Sequence, residues 1–138
     1  EGYRTVIKGN KVSWVKNAAK DDSYKVFKNY MNTICNYAGT LSLSKELKKV
    51  ASIKDIQPGD VCIYGGSPGH AVLVIDVCEN KKTAEKLFMI QQSYMPAQDI
   101  HILKNYNDEN KSPWYSVNFT GDLKTPEWTF SQTELMRW

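Results

Sequence analysis

Of the residues in this chain that could do chemistry, His70 is the most telling. It closes the run Pro58-Gly59-Asp60-Val61-Cys62-Ile63-Tyr64-Gly65-Gly66-Ser67-Pro68-Gly69-His70. A turn at Pro58-Gly59 starts a strand from Val61 to Tyr64, the Gly/Pro loop breaks it, and a second strand leaves from His70 through Val77. Two apolar runs split by such a loop predict an antiparallel hairpin. A histidine where loop meets strand can turn its ring into a cleft, and histidine is the side chain most readily tuned for proton transfer near neutral pH. The plainer alternative is a histidine that only hydrogen-bonds a loop carbonyl. Gly69 fits a close backbone approach, to another segment or to a ligand. Ser67 can donate a hydrogen bond from the loop, but no G-x-S-x-G elbow surrounds it.

A working histidine needs a partner on its second ring nitrogen to set tautomer and angle. The strand after His70 should pair with Lys86 to Gln92 through a polar turn centred near residue 81. That arithmetic sets His70 opposite roughly Gln91 to Tyr94. Gln92 is the best candidate for the accepting amide. Ser93 is a weaker one, and Asp76 lies too far along the strand. A nucleophile is harder to find. Cys35 is the only thiol before the hairpin, yet it falls near the C-terminal end of a predicted helix, where the dipole disfavours thiolate. Cys62 and Cys78 sit in apolar runs and read as buried small hydrophobes. Tyr94, Gln98, His101, Trp114 and Tyr115 gather near the same end of the predicted sheet. Aromatic rings beside amides suit a carbohydrate or a peptide, although Trp114 and Tyr115 could equally cap the core. His70 and His101 have no acidic neighbour at ligand spacing, so no metal site and no cofactor is expected.

The elements that must position these groups follow from periodicity. Tyr3–Ile7 and Lys11–Val15 read as two short strands around a Gly9-Asn10 turn. Residues 22–38 read as a helix, with Phe27, Tyr30, Met31, Ile34 and Tyr37 at three- and four-residue spacing and Gly39 as its stop. Leu43, Leu47 and Val50 suggest a second, shorter helix. Short strands are expected at Ile100–Leu103 and Trp128–Phe130. Ser131 and Glu134 have capping-box spacing before a last helical turn. Helices followed by an antiparallel meander mean an α+β fold in a single domain, residues 1–138.

Composition bounds the function. The chain has 138 residues, 41% hydrophobic and 12% aromatic, which argues for a packed domain and against disorder. A net charge of +3 with scattered lysines does not point to nucleic acid. No apolar run nears the roughly 20 residues needed to span a bilayer. Glu1-Gly2-Tyr3-Arg4 does not read as a signal peptide. Three cysteines without CxxC spacing make neither a disulfide framework nor a zinc site.

Gly59-Asp60-Val61, followed by Gly69-His70-Ala71-Val72-Leu73-Val74, resembles the second half of CHAP- and NlpC-type papain-like hydrolases. Those enzymes cleave amide bonds in bacterial peptidoglycan. The resemblance implies a papain-like half-barrel with N-terminal helices before an antiparallel sheet. It makes His70 the general base and Gln92 its orienting residue, and it implies a thiol nucleophile, for which Cys35 is the candidate read above. A thiolate would attack an amide carbonyl, with glycine-loop amides holding the oxyanion. A second resemblance spans the whole chain. Tyr37-Ala38-Gly39-Thr40-Leu41-Ser42-Leu43, Gly65-Gly66-Ser67-Pro68-Gly69-His70, Gln92-Ser93-Tyr94-Met95-Pro96-Ala97-Gln98 and Ser112-Pro113-Trp114-Tyr115 are similar to an uncharacterised bacterial domain of unknown function. Its longer members imply that this chain corresponds to a C-terminal portion. Two functions stay open: a thiol hydrolase acting on cell-wall amides, complete or not in this chain, and a non-catalytic envelope module that holds a glycan or peptide through Ser67, Gly69, Tyr94, Gln98, Trp114 and Tyr115. Either implies peptidoglycan or a similar partner, and a periplasmic or secreted location.

Overall fold

The computed structural model describes residues 2–9 and 11–138 and divides them into two compact units, 1–38 and 39–138. The first unit holds an antiparallel pair, β1 (Tyr3–Lys8) and β2 (Lys11–Lys16), and helix α1 (Tyr24–Tyr37). The turn expected at Gly9-Asn10 lies partly outside the described residues, at Asn10. Ser23 caps α1, its hydroxyl accepting from the Val26 N–H at 3.4 Å.

The second unit is mainly sheet. Helix α2 (Thr40–Glu46) leads into β3 (Lys48–Lys49), β4 (Val61–Tyr64), β5 (His70–Glu79), β6 (Lys86–Gln92), β7 (His101–Ile102) and β8 (Tyr115–Ser116). A small hairpin follows, β9 (Leu123–Lys124) with β10 (Thr129–Phe130), and then β11 (Leu135–Arg137). The main sheet runs β3-β11-β4-β5-β6-β7, all antiparallel, with β8 also paired to β6. Its core face carries Val72, Val74, Phe88, Ile90, Leu103, Phe130 and Leu135, each at most 2% exposed.

This architecture corrects the expected fold class. The protein is mostly antiparallel sheet with two helices, and both helices follow the first strand pair instead of opening the chain. The papain-like half-barrel with N-terminal helices is therefore set aside. The capping box at Ser131 and Glu134 does start a short turn, but three residues later the chain becomes a strand between β3 and β4. A three-residue strand is too short to show a period, so local pattern could not reveal it.

Two features hold β4 and β5 in place. Gly59 has a φ of +93° in a tight turn closed by the Asp60 N–H onto the Gln57 carbonyl (3.1 Å), a conformation that favours glycine. The Asp60 side chain, 1% exposed, accepts from Arg137 Nε (2.7 Å) and Nη2 (2.8 Å) and from the Gln57 N–H (2.9 Å). A fork of guanidinium on carboxylate is strong and geometrically specific. It ties the last strand to the turn that starts β4. Removing the carboxylate leaves the Arg137 and Gln57 donors without it, so Asp60→Ala should lower the thermal unfolding midpoint by roughly 5–10 °C. An unchanged midpoint in differential scanning calorimetry would show that the clamp is dispensable.

Candidate functional site

The site is built at one end of the β5–β6 pair, by a defect in the pairing. Glu79 faces Lys86 and Asp76 faces Met89, but Val74 faces Ile90 and Leu73 faces Gln91. One residue, Ile75, is left over as a bulge. Beyond it, His70, Val72 and Val74 share the core face with Ile90 and Gln92.

His70 is 8% exposed and Gln92 3%. His70 Nε2 and Gln92 Oε1 are 2.7 Å apart. Gln92 Nε2 donates to Glu127 Oε2, also at 2.7 Å. The amide nitrogen is thus committed to a carboxylate, so the atom facing the imidazole is the amide oxygen, which only accepts. His70 Nε2 must carry the proton. Its Nδ1 makes no hydrogen bond with any described residue, and no buried side-chain nitrogen or oxygen among them lacks a partner. Nδ1 therefore reaches the surface with its lone pair open.

Aromatic rings frame the imidazole. Phe130 stacks at 5.9 Å and 24°, Trp128 lies at 5.4 Å and 36°, and Tyr94 meets it edge-on at 5.2 Å. Tyr64 lies 5.7 Å from Trp128, continuing the ring surface outward. Glu127, Trp128 and Phe130 all come from the β9–β10 hairpin. Its turn is closed by the Thr125 N–H and hydroxyl on the Trp128 carbonyl, at 2.8 and 2.7 Å. Sequence reasoning missed Glu127 and Trp128 as site residues. The signal was there in Thr125-Pro126-Glu127-Trp128, with proline at the second position of a turn between apolar residues.

The remaining candidates divide. Tyr94 is at the site. Gly69 contacts α2: a side chain there would collide with Thr40 Oγ1, and one on Gly65 with Ser44 Oγ. These two glycines let the loop lie against the helix. Ser67 is exposed in the loop and Gln98 is exposed after β6; neither side chain bonds to a described residue. His101 pairs in register with Gln92 but turns Nδ1 to the Asp99 carbonyl at 2.9 Å. Tyr115 faces Phe88, four residues down β6 from Gln92, stacks on it at 5.7 Å and donates its hydroxyl to the Lys104 carbonyl at 2.6 Å. Burial raises its phenol well above the usual range. Tyr115 is core, and Trp114 adjoins it half-buried, away from His70.

Of the two thiols expected to be buried, Cys62 is and Cys78 is not. Cys78 is exposed, because the bulge turns the outer half of β5 over and gives the core face to Val77. Cys35 is exposed near the C-terminal end of α1, in the other unit. Cys62 is buried, and burial, then the Asp60 and Glu134 charges, push its thiol up to about 12. It is no thiolate near neutral pH. The three cysteines are free. Among the described residues no group of three or more His, Cys, Asp or Glu could hold a metal, and no helix is long and apolar enough to cross a membrane.

Two predictions follow the geometry. The fold keeps the Cys62 proton where an unfolded thiol, near 9.0, has lost it. Its stabilising share is thus full below pH 9 and is lost as pH climbs toward about 12. Iodoacetamide at pH 8 should label Cys35 and Cys78 but spare Cys62 until denaturant is added, as read by peptide mass spectrometry. Cys62→Ala should lose less stability than wild type between pH 8.5 and 11. Separately, Glu127→Ala releases the Gln92 amide to turn over. Nitrogen-15 spectra of His70 should then move from the Nε2–H tautomer toward Nδ1–H, whereas an unmoved tautomer would show that Glu127 does not orient Gln92.

No curated protein and no solved structure matches the chain, and nothing supports the likeness to CHAP- and NlpC-type hydrolases. One family does match, over residues 1–137. With that coverage, the chain belongs to the family described as domain of unknown function 4846.

Proposed function

We propose that residues 39–138 form a ligand-binding module in which His70 is the central polar group and Tyr64, Tyr94 and Trp128 supply apolar contact for a peptide or glycan of the bacterial envelope. The observation that carries this reading is the line Glu127–Gln92–His70, with both hydrogen bonds at 2.7 Å and Nδ1 left open. A histidine needed only for packing does not require a defined tautomer. This one has an acceptor aimed outward, suited to a hydroxyl or amide N–H, set among rings that suit the C–H face of a sugar or an apolar side chain. Binding without chemistry is favoured because nothing in residues 39–138 supplies a thiolate at His70: Cys62 is held neutral, and Cys78 lies eight residues down the strand, roughly 26 Å away.

Soluble peptidoglycan fragments should bind, and His70→Ala should raise Kd at least about tenfold with the fold retained. Equal affinity in wild type and variant would remove His70 from the site, and absence of binding to any fragment would remove the ligand class.

Amide hydrolysis is the second reading, and the fixed tautomer favours it. A base nitrogen oriented by an amide and a carboxylate is what proton transfer requires. In that reading His70 Nδ1 takes a proton from a water that adds to the amide carbonyl and passes it to the leaving amine as the C–N bond breaks. Mass spectrometry of the same fragments decides: hydrolysis should fall at least about 100-fold in His70→Ala. Hydrolysis that survives His70→Ala sinks this reading.

A further inference from the structure

A polar cavity lies at the other end of the sheet from His70. It measures about 490 Å³ and is walled by the 105–111 loop, the 116–124 segment and Glu85. By register it is near Lys86 of β6, six residues from Gln92 and therefore roughly 20 Å from His70.

Its walls are held rigidly. Asn105 is 3% exposed. Its Oδ1 accepts from the Asn107 N–H (2.9 Å), Asn107 Nδ2 (3.2 Å) and the Asp108 N–H (3.3 Å). Its Nδ2 donates to the Trp114 carbonyl at 2.7 Å. Asn107 Nδ2 also crosses to the Lys124 carbonyl at 2.9 Å, joining one wall to the other. Lys111 closes the rim with Glu85 at 2.7 Å and Asp108 at 3.6 Å. A loop bent around a buried amide that makes four hydrogen bonds is preorganised, so it loses little entropy when something binds.

The groups left over define the ligand. The side chains of Asn118, Thr120, Asp122 and Lys124 line the cavity and bond to no other described residue. They offer an amide, a hydroxyl, a carboxylate and an ammonium. A half-buried Phe119 supplies ring surface. The lining carries both signs of charge, with Glu85, Asp108 and Asp122 against Lys111 and Lys124. Such a field favours neither a bare anion nor a bare cation. It fits a neutral molecule with many hydroxyls and one apolar face. We infer that this cavity is a binding site for a neutral saccharide, with Asn118 and Asp122 taking its hydroxyls and Phe119 its ring face. The inference does not depend on the reading of His70.

The test is a nitrogen-15 amide titration of the full chain with cellotriose and with N,N′,N″-triacetylchitotriose, each to roughly 20 mM. Shift changes should concentrate at residues 105–111 and 116–124. The double variant Asn118→Ala/Asp122→Ala, on exposed positions, should weaken the Kd read from those residues at least about tenfold. No shift at those residues with either sugar would overturn the proposal. Shifts confined to the His70 face would do the same. Larger shifts at the cavity with sulfate or calcium than with the sugars would overturn the ligand class.

Discussion

One unpaired residue in the long strand decides which side chains meet. Outside the bulge at Ile75, β5 and β6 pair so that Asp76 faces Met89. Were that register to continue, Gln92 would face Leu73, whose side chain lies on the opposite face from His70. A slip of one residue exchanges the two faces of a strand completely. The bulge supplies that slip. It brings His70, Gln92 and Tyr94 onto the core face, and in the outer half of the strand it hands that face to Val77 and turns Cys78 out.

The bulge is braced from the other side. Val74, next to Ile75, donates its N–H to the Asp60 carbonyl and accepts from the Gly59 N–H, both at 2.9 Å. Asp60 in turn is gripped by Arg137. The C-terminal strand, the Pro58-Gly59 turn and the register shift thus form one connected set, with the only ion pair to a nearly fully buried carboxylate among the described residues at its centre. Breaking such a pair is costly because the charge that stays behind has lost its water. The histidine site depends on this set while touching none of it.

Much of the site was legible in residue order. Counting outward from the polar turn near residue 81 is enough to put His70 near Gln91 to Tyr94. It works because a hairpin converts sequence distance from the turn into spatial opposition. A glutamine is long enough to absorb an error of one pair. Neither that counting nor the apolar run around Cys78 can see the bulge, and the burial expected of Cys78 from its run was wrong. Trp114 and Tyr115 were misplaced for a related reason. Their strand pairs with the middle of β6, at Phe88, instead of its end. The papain-like outline failed because it rested on a Gly-Asp turn and a Gly-His strand, local features that many antiparallel sheets can share.

Residue order by itself determined the strands at Val61–Tyr64 and Lys86–Gln92, the start of a strand at His70, the turn at Gly59 and the pairing of a histidine with an amide. All of these follow from short-range periodicity and backbone sterics. Only the tertiary structure decided that a three-residue terminal strand lies between β3 and β4 and that Glu127 completes the line to His70. Each of these joins segments separated by tens of residues. Such contacts are chosen by packing and by the cost of burying charge, and neither is written in any local pattern.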